Sequence, residues 1–537
     1  MNIPSKRWRW ALAASLGALL SFSSHALTAE QAYAMAAADG AEQRAQAINQ
    51  AVLAPYAQSD GARLVAYLAA LSNDEVRVSQ GKAYVVSGDA VTDAASGQAA
   101  KLPADAEDVV NNNYMRSVID TAQAALALSS SDVAARRSAA EKLAAEPDAE
   151  RLALIDKALA GETDEQVKAL LSRAKAASLL NSDDRQQRLQ AVEQLAHSQT
   201  PETQLLFNQR LADEADPAVQ KSIKAALADI AENLAWGERL GAAFSGISLG
   251  SVLLLAALGL AITYGLMGVI NMAHGELIMI GAYATYLVQL AFQRWVPEAA
   301  FGWYLVVAIP VAFMTSALVG AVLERGVIRF LYGRPLETLL ATFGISLVLQ
   351  QTVRSLFGAQ NVGVENPAWM SGGIALLPNL TLPYNRIAII VFAFAVLGAV
   401  AFMIAKTRLG LFVRGVTQNR AMASCVGVNT ARTDTYAFAL GSGIAGLAGC
   451  ALSQIGNVGP DLGQNYIVDS FLVVVLGGVG QLAGTVYAAL GLGVLSKLLE
   501  GWTGAVLAKI AVLLFIVIFI QKRPQGIFAL KGRSAEA

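Results

Sequence analysis

Cysteine and histidine are almost missing from this 537-residue chain, which has two cysteines, Cys425 and Cys450, and three histidines, His25, His197 and His274. Two thiols cannot build a disulfide framework or a thiolate zinc site, and histidines so far apart argue against an imidazole metal centre. Charge is scarce as well: 15% of positions are charged and 55% are hydrophobic, a balance that excludes an ordinary soluble enzyme. No Gly-x-x-x-x-Gly-Lys-Ser/Thr loop occurs, so the chain lacks a cradle for nucleotide phosphates and is not expected to hydrolyse ATP itself. A clustered Lys/Arg face is missing too, which excludes a nucleic-acid binder. No catalytic group and no metal-ligand set is assigned.

The charges that are present divide the chain. Residues 1–235 carry about 22 Lys+Arg and about 30 Asp+Glu, whereas residues 236–537 carry about 18 and about 11. The halves are therefore about −8 and +7, which sum to the net −1 of the whole and point to two environments.

Residues 1–26 read as an export signal. Lys6, Arg7 and Arg9 precede an apolar run from Trp10 to Phe22, and Ser24, His25, Ala26 supply a small-x-small cleavage pattern. The alternative, an uncleaved first membrane helix, suffers from the shortness of the run. Either way the following segment is expected beyond a membrane.

Residues 27–235 are Ala-rich, acidic and helical by period, with one hairpin expected where Val76, Val78, Tyr84 and Val86 alternate about Gln80, Gly81 and Lys82. A repeat of about 52 residues pairs Arg136 with Arg188, Glu141 with Glu193, Leu143 with Leu195, Leu159 with Leu211, Asp164 with Asp216 and Val167 with Val219. The repeat predicts about six short antiparallel helices over residues 132–233, a small HEAT-like solenoid, with an unrelated Ala-rich bundle as the other reading. The acidic residues here read as a solvated helix surface.

From Trp236 onward apolar runs follow one another, at Gly241–Thr263, Met267–Leu290, Phe301–Leu323, Leu336–Leu356, Ile387–Ala405, Thr435–Leu452, Val468–Val479, Leu482–Lys497 and Val506–Ile520. Most are long enough to cross the ~30 Å apolar slab, and Val468–Val479 is short unless it belongs to a broken or re-entrant helix. The fold class expected is thus all-α: a polytopic membrane bundle of eight or nine spans over residues 236–537, preceded by the exported helical domain. Basic residues gather at Arg325, Arg329, Arg334, then at Lys406, Arg408, Arg414, Arg420, Arg432, then at Lys522, Arg523, Lys531, Arg533. Retention of Lys and Arg on the cytoplasmic side puts these connections and the C-terminus inside, residues 357–386 outside, and favours nine crossings over eight. Trp295, Trp303, Trp369 and Trp502 then fall near the outer interface.

Gly441, Gly443 and Gly446 spell G-x-G-x-x-G, but inside an apolar span with Gly449 in series. A dinucleotide site needs a strand before the glycines, so close helix packing through small residues is the reading taken, as it is for Gly477, Gly478, Gly480 and Gly484.

Between the first two spans lies Asn271, Met272, Ala273, His274, Gly275, Glu276, a polar string that is expensive at membrane depth. With Gly268, Val269 and Ile270 before it, the string resembles the signature of permease subunits from the branched-chain amino-acid class of ABC importers, typically Asn-Phe-Ala-His-Gly-Glu. The similarity extends over Leu240–Arg533 and includes the ending Arg523, Pro524, Gln525, Gly526, Ile527, Phe528. Met272 in place of Phe, the loop Asn366–Gly373 and the exported extension are similar to the urea-transporting type within that class. The resemblance implies a transport subunit with no cofactor of its own. Its implied partners are a second homologous permease subunit, two cytoplasmic ATP-binding subunits that use the ATP, a periplasmic substrate-binding protein and membrane lipid. The location implied is the bacterial inner membrane, multi-pass, with the N-terminal domain in the periplasm.

A path for urea needs amides, hydroxyls and an occasional carboxylate. The candidates are Asn271, His274 and Glu276, then Thr338, Thr342, Gln350 and Gln351 on the fourth span, each of which could instead bond a neighbouring helix and hold a bend. Asn457, Asp461 and Asp469 near the outer mouth are candidates for contact with a binding protein. Between the fifth and sixth spans, Arg414, Gly415, Asn419, Arg420, Ala421, Ala423 and Gly427 resemble the loop by which such importers dock on their ATPases, the plain alternative being a charged orienting loop. A branched-chain amino acid is the second substrate reading. An exported receptor lacks a cytoplasmic output module, and a stand-alone channel would work without ATP.

Overall fold

The computed structural model describes residues 27–528 except 55–57, 89, 146, 148–150, 269–270 and 524. The expected export signal therefore lies outside the described residues, as do Val269, Ile270, Pro524, Lys531 and Arg533. The chain divides into two compact units, up to Leu234 and from Ala235 onward.

The first unit opens with α1 (Ala29–Ala37), α2 (Ala41–Leu53) and α3 (Gln58–Ser72). Thr28 starts α1 with a capping box: its hydroxyl accepts from Gln31 N while the Gln31 side chain accepts from Thr28 N, which satisfies two otherwise free donors. The expected hairpin is present as β1 (Val76–Ser79) and β2 (Lys82–Ser87), turning at Gln80 and Gly81, both at positive φ as a tight hairpin turn requires. β3 (Ala90–Asp93) and β4 (Glu107–Asp108), which the sequence pattern did not reveal, complete an antiparallel sheet in the order β3-β2-β1-β4. After α4 (Asn113–Ala127) come α5 (Val133–Ala145), α6 (Leu152–Gly161), α7 (Glu165–Leu179), α8 (Arg185–Ala196), α9 (Pro201–Asp213) and the start of α10 (Pro217–Met267).

The 52-residue spacing reappears here as geometry. Arg136 bridges Glu162 at 2.8 Å and donates to the carbonyls of Ser130 and Ser131; Arg188 bridges Glu214 at 3.0 Å and donates to those of Ser182 and Asp183. Glu162 accepts from Asp164 N and Glu214 from Asp216 N, and each aspartate in turn caps a helix, at Val167 N and Val219 N. One ion pair thus holds the turn before a helix and the cap of another, twice over, while apolar positions such as Leu143, Val167, Leu195 and Val219 fill the interior. The Arg136 guanidinium, bonded to Glu162 with help from Asp164 N, pulls that carboxyl down to about 2.

The second unit is a helix bundle. Its elements are α10, α11 (His274–Trp295), α12 (Tyr304–Gly326), α13 (Pro335–Phe357), a small hairpin β5 (Gly373–Leu377) and β6 (Leu380–Pro383), and α14 (Tyr384–Lys406). There follow α15 (Arg408–Gln418), α16 (Arg420–Cys425), α17 (Thr430–Ser453), α18 (Leu462–Gly477), α19 (Leu482–Thr503) and α20 (Ala505–Lys522). Among the described residues eight helices are long and apolar enough to cross a membrane. Eight is within the expected eight or nine; the remaining apolar run lies in α18, whose 16 residues reach about 24 Å, short of the ~30 Å slab, as expected of a broken or re-entrant helix. It starts at Leu462, earlier than the hydropathy run at Val468, because Gln464 and Asn465 interrupt the apolar signal without interrupting the helix. The second span is likewise shifted: the chain leaves helix at Gly268, in the left-handed region at φ +68, and resumes at His274 rather than running from Met267.

Glycines set the packing of the bundle's middle. A Cβ at Gly449 would overlap Ile278 O, one at Gly281 would overlap Gly446, and one at Gly441 would sit 2.6 Å from Gly259 O, so α17 lies backbone to backbone against α10 and α11. The G-x-G-x-x-G run is therefore a packing surface. α13, α14 and α20 instead expose Leu340, Val348, Phe402, Val506 and Leu514, as helices bordering lipid do. Trp295, Trp303, Trp369 and Trp502 are all exposed. The final described residues tie down α18: Ile527 N donates to Leu476 O at 2.9 Å and Phe528 N to Gly477 O, partnering carbonyls that a helix end leaves free.

Candidate translocation site

The break between α10 and α11 places Asn271 and Ala273 inside the bundle. Asn271 Oδ1 accepts from Ala273 N at 3.0 Å and so begins the turn that becomes α11. His274 is completely buried, admitted because Gly259 on α10 has no side chain where the imidazole lies. Its Nε2 donates to Ala256 O at 3.1 Å; a carbonyl only accepts, so the proton sits on Nε2 and Nδ1 presents a lone pair. Glu276 is 1% exposed, and its Oε1 accepts from Ser346 Oγ at 2.8 Å.

Three polar atoms here lack partners among the described residues: Asn271 Nδ2, His274 Nδ1 and Glu276 Oε2. Buried polar groups are normally paired, so a donor and two acceptors left open on six consecutive residues need an explanation. The bonds these side chains do make use their other atoms.

Helix α13 packs against the string on the Glu276 side. Thr338, Thr342, Ser346 and Gln350 recur every fourth residue and are all buried, a polar stripe along one face. Thr342 Oγ1 accepts from Met272 N at 3.2 Å, and Gln350 Nε2 donates to Asp461 Oδ1 at 2.6 Å beside Arg354, whose Nη2 donates to the same atom. Thr338 and Thr342 also return their hydroxyls to Arg334 O and Thr338 O. Gln351 is exposed and off the stripe, so this candidate is not brought to the site. Ser346 was missed, although the four-residue spacing from Thr342 to Gln350 runs through it. On the remaining side α18 closes up to the string, since a Cβ at Gly275 would lie 2.6 Å from Gly463 O. Asn457 is exposed, and Asp469 pairs with Lys509 at 3.8 Å.

The second candidate group lies on α15 and α16. Arg414 and Gly415 are exposed, with Arg414 Nε donating to Gly410 O. Asn419 caps α16 through Met422 N; Ala421 is exposed, Ala423 is buried in the bundle core beside Val416, and Gly427 sits at φ +89. Leu411, Phe412 and Met422 on these two short helices and Val426 just past α16 are exposed apolar side chains. Arg420 is not free: it forms an ion pair with Asp434 on α17 and stacks 4.5 Å above the Tyr332 ring. Nearby, the fully buried Glu324 of α12 takes Arg329 at 3.1 Å and Thr435 Oγ1 at 2.7 Å. Tyr332, Asp434 and Glu324 are functional neighbours that the sequence reading did not single out.

Helices of spanning length around an interior polar string define a polytopic membrane protein. Residues 242–521 match the family described as branched-chain amino acid transport system / permease component, and the chain belongs to that family. It is 29% identical over 290 residues to the high-affinity branched-chain amino acid transport system permease protein LivH of Escherichia coli strain K12, covering 53% of this chain and 93% of that one. With the BraD permease of the corresponding system in Pseudomonas aeruginosa the identity is 26% over 287 residues, covering 53% and 93%. A more distant likeness, 24% over 249 residues, is to the ribose import permease protein RbsC of E. coli strain K12, covering 42% and 68%. No solved structure matches. The relatives are transport subunits and not enzymes.

Proposed function

We propose that this chain is the membrane-spanning subunit of an ATP-driven ABC importer and that it carries urea from periplasm to cytoplasm across the bacterial inner membrane. The observation behind the substrate is the open set at the break: one donor at Asn271 Nδ2 and two acceptors at His274 Nδ1 and Glu276 Oε2. Urea offers the complement, one carbonyl oxygen to accept and two NH₂ groups to donate. Thr338, Thr342 and Gln350 continue the polar wall on α13. The likeness of Met272 and of the Asn366–Gly373 loop to urea permeases supports the same choice.

The exposed apolar residues of α15 and α16 fit a groove in a cytoplasmic ATP-binding subunit, with Arg420 and Asp434 passing the partner's motion to α17. Two such subunits, a second homologous permease and a periplasmic binding protein complete the assembly. The first unit, exported behind a signal peptide in this reading, is proposed to be HEAT-like and to help position the binding protein. The doubled Arg–Glu arrangement supports the repeat.

A branched-chain amino acid is the second reading, favoured by the likeness to the LivH and BraD permeases. Uptake of labelled urea and labelled leucine, compared in a strain with and without this chain, separates the two. Dependence of either uptake on a partner's ATP hydrolysis separates an importer from a channel.

A further inference from the structure

Beside the break lies a second polar feature that the family signature does not touch. A cavity of about 270 Å³ opens between α10, the start of α14, the turn after α17, the start of α18 and the far end of α19. Ser248 on α10 lines it. This residue is 1% exposed, yet its hydroxyl has no hydrogen-bond partner among the described residues. Arg386 lines it from α14, half-buried, with no ion pair and no side-chain hydrogen bond among the described residues. Asn457 adds an exposed amide, and Lys497, which is paired with Glu500 at 2.6 Å, lies at the edge. A half-buried guanidinium without a counter-charge and a buried hydroxyl without a partner are both costly to keep, unless something else fills the space.

The cavity also has an address relative to the polar string. Ser248, Val252 and Ala256 follow one another at four-residue steps on one face of α10, and Ala256 O is the acceptor of His274 Nε2. Ser248 and the His274 contact are therefore about 12 Å apart along the helix. Val252 and Leu452 lie between in the buried apolar cluster against which Leu462 packs, and α18 touches both regions, lining the cavity with Leu462 and facing Gly275 with Gly463.

From this we infer that the cavity is a second solute station, upstream of the Asn271–Glu276 string and separated from it by Val252, Leu452 and Leu462. Its chemistry selects a small planar group with a carbonyl-type oxygen. The Arg386 fork and the Ser248 hydroxyl donate to that oxygen, and Asn457 accepts from an adjoining amine or amide. Both urea and the carboxylate end of an aliphatic amino acid carry such a group. The inference rests on the permease reading above and not on which of the two solutes is carried.

The test uses the assembled transporter in cells. Ser248→Cys is introduced with Cys425→Ser and Cys450→Ala, and labelling from outside is timed with an anionic and a cationic thiosulfonate reagent, with and without urea or leucine. Arg386 should make the anionic reagent about fivefold faster, and one of the two solutes should slow it. In parallel, Ser248→Ala should raise the half-saturating concentration of that solute about fivefold and Arg386→Gln about tenfold, with the melting midpoint of the purified protein unchanged by Ser248→Ala. Removing an unpartnered buried hydroxyl is neutral or stabilising for the fold, so loss of uptake on this change is not a folding effect. No labelling from outside, no charge preference, or unchanged uptake in both variants would overturn the inference. Should wild-type cells take up neither solute, the substrate reading fails, and the labelling preference alone decides the cavity.

Discussion

Ser346 Oγ donates to Glu276 Oε1 at 2.8 Å across 70 residues of sequence, fixing the carboxylate of α11 against α13 while leaving its second oxygen open. The bond orients the site rather than closing it. Glu276→Gln replaces an acceptor by a donor at the open face and should cut urea uptake about tenfold to a hundredfold, the range for losing one charge-assisted bond. Ser346→Ala, which frees the carboxylate to turn, should weaken uptake less, about threefold to tenfold. Initial-rate uptake at matched membrane levels checks both.

Helix packing through glycine gives a prediction about assembly. Gly449→Leu places a side chain where Ile278 O lies, and Gly281→Val places one against Gly446. Both variants should lose folded protein from the membrane. Gly344→Ala, with open space at its Cβ, should accumulate normally. Fluorescence-detected size exclusion on detergent extracts reads the difference.

The coupling segment predicts a separation of insertion from transport. Ala421 is exposed, so its side chain does not support the bundle, and Gly427 has open space around it although its φ of +89 strains any other residue there. Ala421→Asp and Gly427→Trp should abolish uptake while the subunit remains in the membrane, with ATPase co-purification reduced. Arg420→Ala should be more damaging to folding, because it leaves the buried Asp434 carboxylate without its counter-charge. Co-purification that stays normal in Ala421→Asp, with normal uptake, contradicts the docking role.

The Arg136–Glu162 pair sets a pH dependence in the first unit. Because the Glu162 carboxyl titrates near 2 when folded and near 4.5 when free, the pair's contribution is complete above about pH 4.5 and is lost as the pH falls through about 2. Resistance of this region to proteolysis should therefore differ between wild type and Glu162→Gln at pH 7, and the difference should shrink steadily from pH 4.5 downward. An acid-tolerant protease gives the readout.

Much of this was legible in the sequence because the length of an apolar run reports a membrane-spanning helix directly. The long apolar runs became helices of nearly the expected extent, as in Leu336–Leu356 against Pro335–Phe357, and the repeat fell on equivalent ion pairs. Other features leave weaker traces. α10 runs unbroken through the composition change at Trp236, because helix continuity depends on backbone propensity rather than on polarity. α18 hid its first turns behind Gln464 and Asn465, and β4, two residues long, has no period to detect. Glu276 meets Ser346 from 70 residues away and Arg420 meets Asp434 on the next long helix, contacts that only the tertiary fold sets.

The account depends most on an open polar site at the break that complements urea. The direct measurement is uptake of labelled urea and labelled leucine in cells lacking the native gene and supplied with wild type, Asn271→Leu or Glu276→Gln, each confirmed at equal membrane abundance. The account predicts urea uptake restored by wild type and cut at least about tenfold by either substitution, with leucine uptake indifferent to all three. Urea uptake undiminished in both variants, or leucine uptake that requires the chain while urea does not, would contradict it.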